Sequence, residues 1–369
     1  MINASFWKNK RVFLTGHTGF KGAWLSLWLT KMGAKVTGYA LAPSTHPNLY
    51  ELARLDDLVD SYIADINDSE KLKNALYDAN PEIVIHMAAQ PLVGISYKDP
   101  VMTFQTNVQG TVNLLEAVRY AIERGRKIQA VVNVTTDKCY ENKEWLWGYR
   151  EIDPLGGKDP YSASKACSEL VTAAYRHSFF HPNQINDHGV VLASARAGNV
   201  IGGGDWSQDR LIPQCLEAIV NQNEIKLRRP NAVRPWQHVL EPLSGYLLLI
   251  QKIYEGKETY ADAWNFGPEY NDCRSVGEVV NQLIEMCGTD IKVEAFPDIP
   301  YQESDLLMLD CSKAKSILGW QPLWNLTNAL QYIVEWHMAY QKNENMRDIT
   351  VEQINQYMSG LAVRDVQNE

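Results

Sequence analysis

Residues Lys10 to Ala40 limit the folds open to this chain more than any other stretch. Lys10-Arg11-Val12-Phe13-Leu14-Thr15 is a short apolar run of strand character, and Gly16-His17-Thr18-Gly19-Phe20-Lys21-Gly22 follows it directly. Apolar residues at helical spacing then run through Ala23, Leu25, Leu27, Trp28, Leu29 and Met32 to Gly33, a natural C-terminal stop. A second strand, Lys35 to Ala40, completes a β-turn-α-β unit. A G-x-x-G-x-x-G turn in that setting brings the free N–H groups of a helix N-terminus against a dinucleotide pyrophosphate. Gly16, His17, Thr18, Gly19, Phe20, Lys21 and Gly22 are therefore predicted to hold a dinucleotide cofactor.

The same alternation continues. Ser61 to Ile66 reads as a third strand, Glu82 to Gln90 as a fourth closing on small residues, and Val131 to Val134 as a fifth, with helical segments between them. Five strands alternating with helices predict an α/β chain with a doubly wound, parallel Rossmann sheet, whose ligands sit beyond the carboxyl ends of the strands. Asp65 and Ile66, Ala88, Ala89 and Gln90, and Asn107 on the following helix are the further cofactor-side candidates. Asp65 reads equally well as an acceptor for the adenine amino group and as a cap for the next helix. An acidic ribose ligand is expected about 20 residues after the turn, where this chain has Tyr39. That position leaves NAD against NADP open and predicts loose cofactor retention.

The Val131 strand stops at Thr135-Thr136-Asp137-Lys138, and Tyr161-Ser162-Ala163-Ser164-Lys165 opens a helical segment downstream. Four residues apart on a helix, Tyr161 and Lys165 share a face. A phenol with a pKa near 10 is a poor base, and a nearby ammonium is expected to pull that pKa down. Such a pair can take a proton from a sugar hydroxyl, although most Tyr/Lys pairs at this spacing are only surface neighbours. Here they follow a strand ending in reactive side chains.

The later half differs in texture. A glycine-rich loop, Gly198 to Trp206, precedes a helix from Leu211 to Val220, and Arg228, Arg229 and Arg234 then cluster in an otherwise acidic chain. Planar guanidinium groups suit a diphosphate, and solvated surface arginines are the plain alternative. Ala263 to Gly267 reads as a strand returning to the main sheet. The predicted division is a dinucleotide-binding domain over 1–195, with 236–268 returning to it, a smaller mixed α/β substrate domain over 196–235 and 269–345, and a loosely held polar tail over 346–369.

With 35 basic and 44 acidic residues the formal charge is −9, which argues against a nucleic-acid binder. The six cysteines lack the close pairs of metal or redox sites, so no metal is expected. No apolar run reaches the roughly 18 to 20 residues of a membrane span, and no export signal is legible at the N-terminus. A cytoplasmic protein without a membrane partner is the expectation.

Thr15 to Gly22, Tyr161-x-x-x-Lys165, Arg196-x-x-Asn199-Val200 and Leu318-Gly319-Trp320-x-Pro322 together resemble the extended short-chain dehydrogenase/reductases that act on sugar nucleotides. Within that group Phe6 to Gly22, Thr136-Asp137-Lys138 and Arg234 to Leu243 are most similar to the 4,6-dehydratases of CDP-glucose. The resemblance implies NAD as cofactor, CDP-glucose as substrate, and a homodimer paired through helices that include the Tyr/Lys helix. It implies that Tyr161, acidified by Lys165, deprotonates the C4 hydroxyl while Thr136 holds O4. Asp137 would protonate the departing C6 hydroxyl, which requires a raised pKa. Lys138 stands where relatives acting on the thymidine-linked sugar have Glu, and is expected to be the C5 base, acting when neutral. Asn199, Arg210, Leu227, Arg228 and Arg234 are the expected substrate-binding residues. Those relatives carry Arg and His further on, where this chain has Gln302-Glu303-Ser304-Asp305-Leu306. A sugar-nucleotide epimerase or decarboxylase would share the turn and the Tyr/Lys pair but does not need Asp137; a non-catalytic NAD sensor would need no Tyr/Lys pair.

Overall fold

The computed structural model describes residues 2–296 and 304–368, so Gln302 and Glu303 lie outside the described residues. Seven strands make the main sheet: β1 (Arg11–Thr15), β2 (Lys35–Ala40), β3 (Asp60–Ile63), β4 (Ile83–His86), β5 (Ala130–Val134), β6 (Val191–Ala197) and β7 (Ala263–Phe266). They lie in the order β7-β6-β5-β4-β1-β2-β3 with every pair parallel. The predicted doubly wound sheet is thus present, and its order reverses between β1 and β4, the switch point where such sheets bind ligands. Strands β4, β5 and β6 are buried along their whole length. That is why they read as continuous apolar runs without alternation.

Among the described residues, the longer helices position the site and its supports. They are α1 (Phe20–Lys31), α2 (Ser69–Ala79), α3 (Gly110–Glu123), α4 (Pro160–Ser178), α5 (Leu211–Val220), α6 (Leu240–Gly256), α7 (Val276–Met286), α8 (Leu326–Gln341) and α9 (Met346–Asn368). Helix α1 is buried from Gly22 through Leu29, including Trp24 and Trp28. Each large side chain so buried contributes about 2 to 3 kcal/mol of transfer free energy. The end of α1 is therefore held rigidly over the sheet.

Two strand ends fall short of prediction. Strand β3 stops at Ile63 and β4 at His86, and residues 64–67 and 87–89 leave the ladder to line a cleft. An apolar run does not reveal where pairing ends. Beyond β6, three two-stranded ladders join 200–201 to 237–238, 233–235 to 273–275, and 225–227 to 293–295. They surround a separate apolar cluster that includes Ile212, Leu227, Val279, Leu283, Leu330 and Ile333.

The expectation of a loose tail after residue 345 is corrected. Residues Met346–Asn368 form a helix whose Met346, Ile354, Tyr357 and Leu361 are buried in the main core. The Tyr357 hydroxyl donates to Glu241 at 2.7 Å, and Trp28 meets the Tyr357 ring edge to face. Polar residues dominate the segment's composition, but one helical stripe is apolar, and that stripe is enough to dock it.

Candidate active site

A cleft of about 720 Å³ opens at the switch point, bounded by the residues that follow β1, β4, β5 and β6. Its first arm follows the glycine-rich turn. Gly16 takes a left-handed conformation (φ 78°), and a Cβ there would meet the Ala88 nitrogen at 2.7 Å. Glycine therefore lets the turn close against the loop after β4. Gly19 is the N-cap of helix α1 and offers no side-chain cap. The first N–H groups of the helix are accordingly left for a ligand in the cleft, which Gly16, Thr18, Gly19, Phe20, Lys21 and Gly22 all line. Asp65, Ile66, Ala88 and Ala89 line the same arm. This uncapped, glycine-floored cradle fits a dinucleotide pyrophosphate.

Three predicted cofactor residues do not face the cleft with their side chains. The His17 ring lies over Gly38, where a Cβ would come within 2.3 Å of it, and its Nε2 sits 2.5 Å from Ser61 Oγ. Burial lowers its pKa to about 4, so it is a neutral strut between β2 and β3. Gln90 and Asn107 bond each other: the Gln90 N–H donates to Asn107 Oδ1 at 2.8 Å, and Asn107 Nδ2 donates to Gln90 O and Ser164 Oγ. They tie the loop after β4 to helix α4. Tyr39, at the expected acid position, donates its hydroxyl to Asp65 O at 3.0 Å. Asp65 itself closes a local turn by accepting from the Asn67 N–H, and the cap of α2 is Asp68.

At the centre of the cleft the structure brings together Thr136, Asp137, Lys138, Tyr161 and Lys165. Asp159 caps α4 by accepting from the Ser162 N–H, which fixes the helix start one residue before Tyr161. Burial pushes the Tyr161 phenol up to about 12, with a Thr136 hydrogen bond and the Arg210 charge pulling the other way. The expectation of a phenol acidified by Lys165 is thus corrected for the protein alone. The ammonium is turned to the strand, donating to Val134 O at 3.1 Å, and desolvation of the phenol dominates. Burial in turn lowers Lys165 to about 8, while Glu169 supports its charge. Lys21 reaches the same centre from α1; desolvation first, then the Arg210 and Lys165 charges, lower it to about 7 against the pull of Asp137.

Asp137 is 2 % exposed, with Oδ1 accepting from the Thr136 hydroxyl at 3.0 Å and Oδ2 bonded by no protein group among the described residues. Burial raises its pKa against the pull of Lys138, Thr136 and Arg234. A carboxyl so placed can hold a proton and donate it. Lys138 is half-buried and lines the cleft beside it.

One group beneath the centre was not singled out from the sequence. Glu169, one turn beyond Lys165 on α4, accepts from Thr135 Oγ1 at 2.5 Å, Ser194 Oγ at 2.7 Å and Arg196 at 2.9 Å. Burial alone would raise its pKa, but Arg196 and the hydroxyls outweigh it and hold the carboxyl below its ordinary value. Tyr161, Lys165 and Glu169 recur at intervals of four, and that recurrence was the available signal.

The second arm runs between α5 and the ladders. Asn199, Arg210, Leu227, Arg228 and Arg234 all line it. Arg234 donates to the carbonyls of Val233 and Ser304 at 2.9 and 2.5 Å, Arg229 pairs with Asp305 at 2.6 Å, and Arg210 lies 3.7 Å from Asp205. Asp209, also unremarked in the sequence, pairs with Arg228 at 3.1 Å.

A parallel sheet of this order with a Tyr/Lys pair and a glycine turn on one cleft defines a dinucleotide-binding class with a proton-transfer centre. Residues 13–333 match the family model described as GDP-mannose 4,6 dehydratase, and the chain belongs to that family. Over 359 residues it is 53% identical to CDP-glucose 4,6-dehydratase from Salmonella typhimurium, covering 97% of this chain and 99% of the relative. Among solved structures it is similar to the dTDP-glucose 4,6-dehydratase DesIV from Streptomyces venezuelae with NAD and TYD bound (TM-score 0.76, 24% identity, 90% and 98% of the two chains). It is also similar to the epimerase Mth375 from Methanothermobacter thermautotrophicus (TM-score 0.79, 21% identity, 94% and 96%). At these identities the two structures speak for the fold.

Proposed function

We propose that this chain converts CDP-glucose to CDP-4-dehydro-6-deoxyglucose and water, with NAD as a cofactor that is returned unchanged. The observation that carries the reading is the buried Asp137 with a free carboxyl oxygen, in one cleft with Thr136, Tyr161 and Lys165. An epimerase in this fold has no water to expel and no use for that acid. The likeness to the Salmonella relative supports the choice of nucleotide.

Held by the Gly16 to Gly22 turn at the α1 N-terminus, NAD would supply an acceptor for the C4 hydride and a later donor to C6. Tyr161 takes the C4 hydroxyl proton, and Thr136 holds O4. The resulting 4-ketone acidifies the C5 hydrogen, which Lys138 removes, while Asp137 protonates the C6 hydroxyl so that it departs as water. Hydride at C6 and a proton at C5 complete the product. Lys165 keeps a positive charge under Tyr161. Arg210 and Arg234 face the diphosphate, and Asn199 and Leu227 line its path. The apolar cluster around Ile212 and Leu330 supports a separate substrate-binding domain over 196–235 and 269–345.

Pairing of two copies through α4 and the helix Pro100–Phe104 also belongs to this reading. Val101, Phe104 and Leu170 stay 65, 38 and 57 % exposed there. Among the described residues no helix is long and apolar enough to cross a membrane. Incubation with CDP-, dTDP-, UDP- and GDP-glucose plus NAD, following ketone formation, tests the reaction and the nucleotide together. Ketone from CDP-glucose is expected; ketone from none of the four would refute the reading.

A further inference from the structure

The outer end of the second arm holds an acid and a guanidinium from different elements. Asp209 stands in the turn before α5, at a left-handed φ of 60° that aspartate enters more readily than bulkier residues. Arg228 follows the 225–227 strand, and its NH2 lies 3.1 Å from Asp209 Oδ1. Both line the cleft, with side chains 38 and 40 % exposed. Of the other carboxylates lining it, Asp65 lies on the cofactor arm and Asp137 at the centre. Asp205 is taken up by the Ser207 N–H at 2.9 Å and by Arg210. Ile212 and Leu227, 2 and 3 % exposed, supply apolar wall beside the pair.

The order of groups along the cleft limits what reaches this end. If the dinucleotide follows the glycine turn, its reactive ring ends near Tyr161, and a glucose lies beside that tyrosine. The diphosphate then meets Arg210 and Arg234, and the base lies beyond them. We infer that Asp209 and Arg228 read the base, with Asp209 accepting from the exocyclic amine of cytosine and the Arg228 fork donating to its ring nitrogen and carbonyl oxygen. This rests on the proposed nucleotide-sugar reaction and adds to it the source of base choice.

The chemistry discriminates strongly. Cytosine presents a donor followed by two acceptors along that edge, which a carboxylate and a two-pronged donor complement in order. Uracil and thymine present an oxygen where the amine was and an N–H at the ring nitrogen. In the same pose the carboxylate faces an oxygen and the guanidinium faces a donor, leaving desolvated polar groups unpaired. The Asp209–Arg228 contact uses Asp209 Oδ1 and Arg228 NH2, which leaves Asp209 Oδ2 and further guanidinium N–H groups to meet the base.

The test is titration calorimetry of CDP and UDP into the full chain with NAD present, for the wild type, Asp209→Asn and Arg228→Leu. Thermal unfolding checks that each variant is folded, and kcat/KM is measured for CDP- and UDP-glucose. The expected result is a wild type that prefers CDP and a preference that falls roughly tenfold or more in both variants. Asp209→Asn gains UDP affinity as it loses CDP affinity, because an amide can turn its N–H to the uracil oxygen. A smaller change in both folded variants, with the wild type still selective, overturns the assignment and leaves the proposed reaction standing. A wild type that ignores CDP-glucose overturns both.

Discussion

At the scale of single residues the site depends on charges kept where water is excluded. Glu169 and Arg196 are 3 and 3 % exposed and hydrogen-bonded to each other. Removing one charge from such a pair leaves the other uncompensated, so Glu169→Gln is expected to cost about 3 to 5 kcal/mol in urea denaturation. The folded pKa of Glu169 is depressed, so its contribution is present above the ordinary carboxylate value and is lost as pH falls through the folded one. The same carboxylate holds the Thr135 hydroxyl next to the Val134 carbonyl that Lys165 contacts. Lys165 loses its proton as pH rises through about 8, so kcat is expected to fall over that range. In Glu169→Gln that descending limb moves to lower pH; an unmoved limb would assign Glu169 a structural role alone. Lys138→Ala should abolish exchange of the C5 hydrogen with solvent at a wild-type level of C4 oxidation. Exchange persisting in that variant would pass the base role to another group, Lys21 being the cleft lysine that desolvation lowers furthest.

At the scale of elements, legibility followed the range of the forces involved. The strand-turn-helix over Arg11 to Lys31 could be read because its glycines, apolar spacing and stop all lie within one local stretch. Tyr161 and Lys165 reached one cleft because helical spacing alone puts them there. The direction of His17 could not be read, since it depends on Gly38 and Ser61 on neighbouring strands. The phenol's raised pKa was equally hidden, because desolvation is a property of the assembled cleft. Helix α9 was missed because composition conceals a stripe through Met346, Thr350, Ile354, Tyr357 and Leu361. That helix is clasped by Glu241, which accepts from Tyr357 and from the N–H groups of Leu323 and Trp324. Burial raises Glu241 to about 7 from 4.5, so its stabilising effect is full below pH 4.5 and is lost as pH rises through about 7. Relative to wild type, Glu241→Gln should therefore gain about 3 kcal/mol of stability between pH 4.5 and 8, read from paired urea melts.

At the scale of the whole molecule, one cleft at a sheet's switch point gathers a cofactor arm, a reacting centre and a nucleotide arm from residues 16 to 234. Helix α4 carries the reacting centre on one face and exposes Leu170 on another, so pairing there would stiffen the site from outside. If two copies pair there as proposed, light scattering should report a dimer for the wild type and a monomer for Leu170→Glu; an equal mass for both would move the interface elsewhere. Transfer of hydrogen from C4 to C6 within the same sugar can be followed directly. CDP-glucose deuterated at C4 is incubated with the protein and NAD, and the product is analysed by NMR. The expected product is a 4-keto-6-deoxy sugar with the deuterium in its C6 methyl group and solvent hydrogen at C5. Deuterium retained at C4 of an epimer, or lost to solvent, would contradict it.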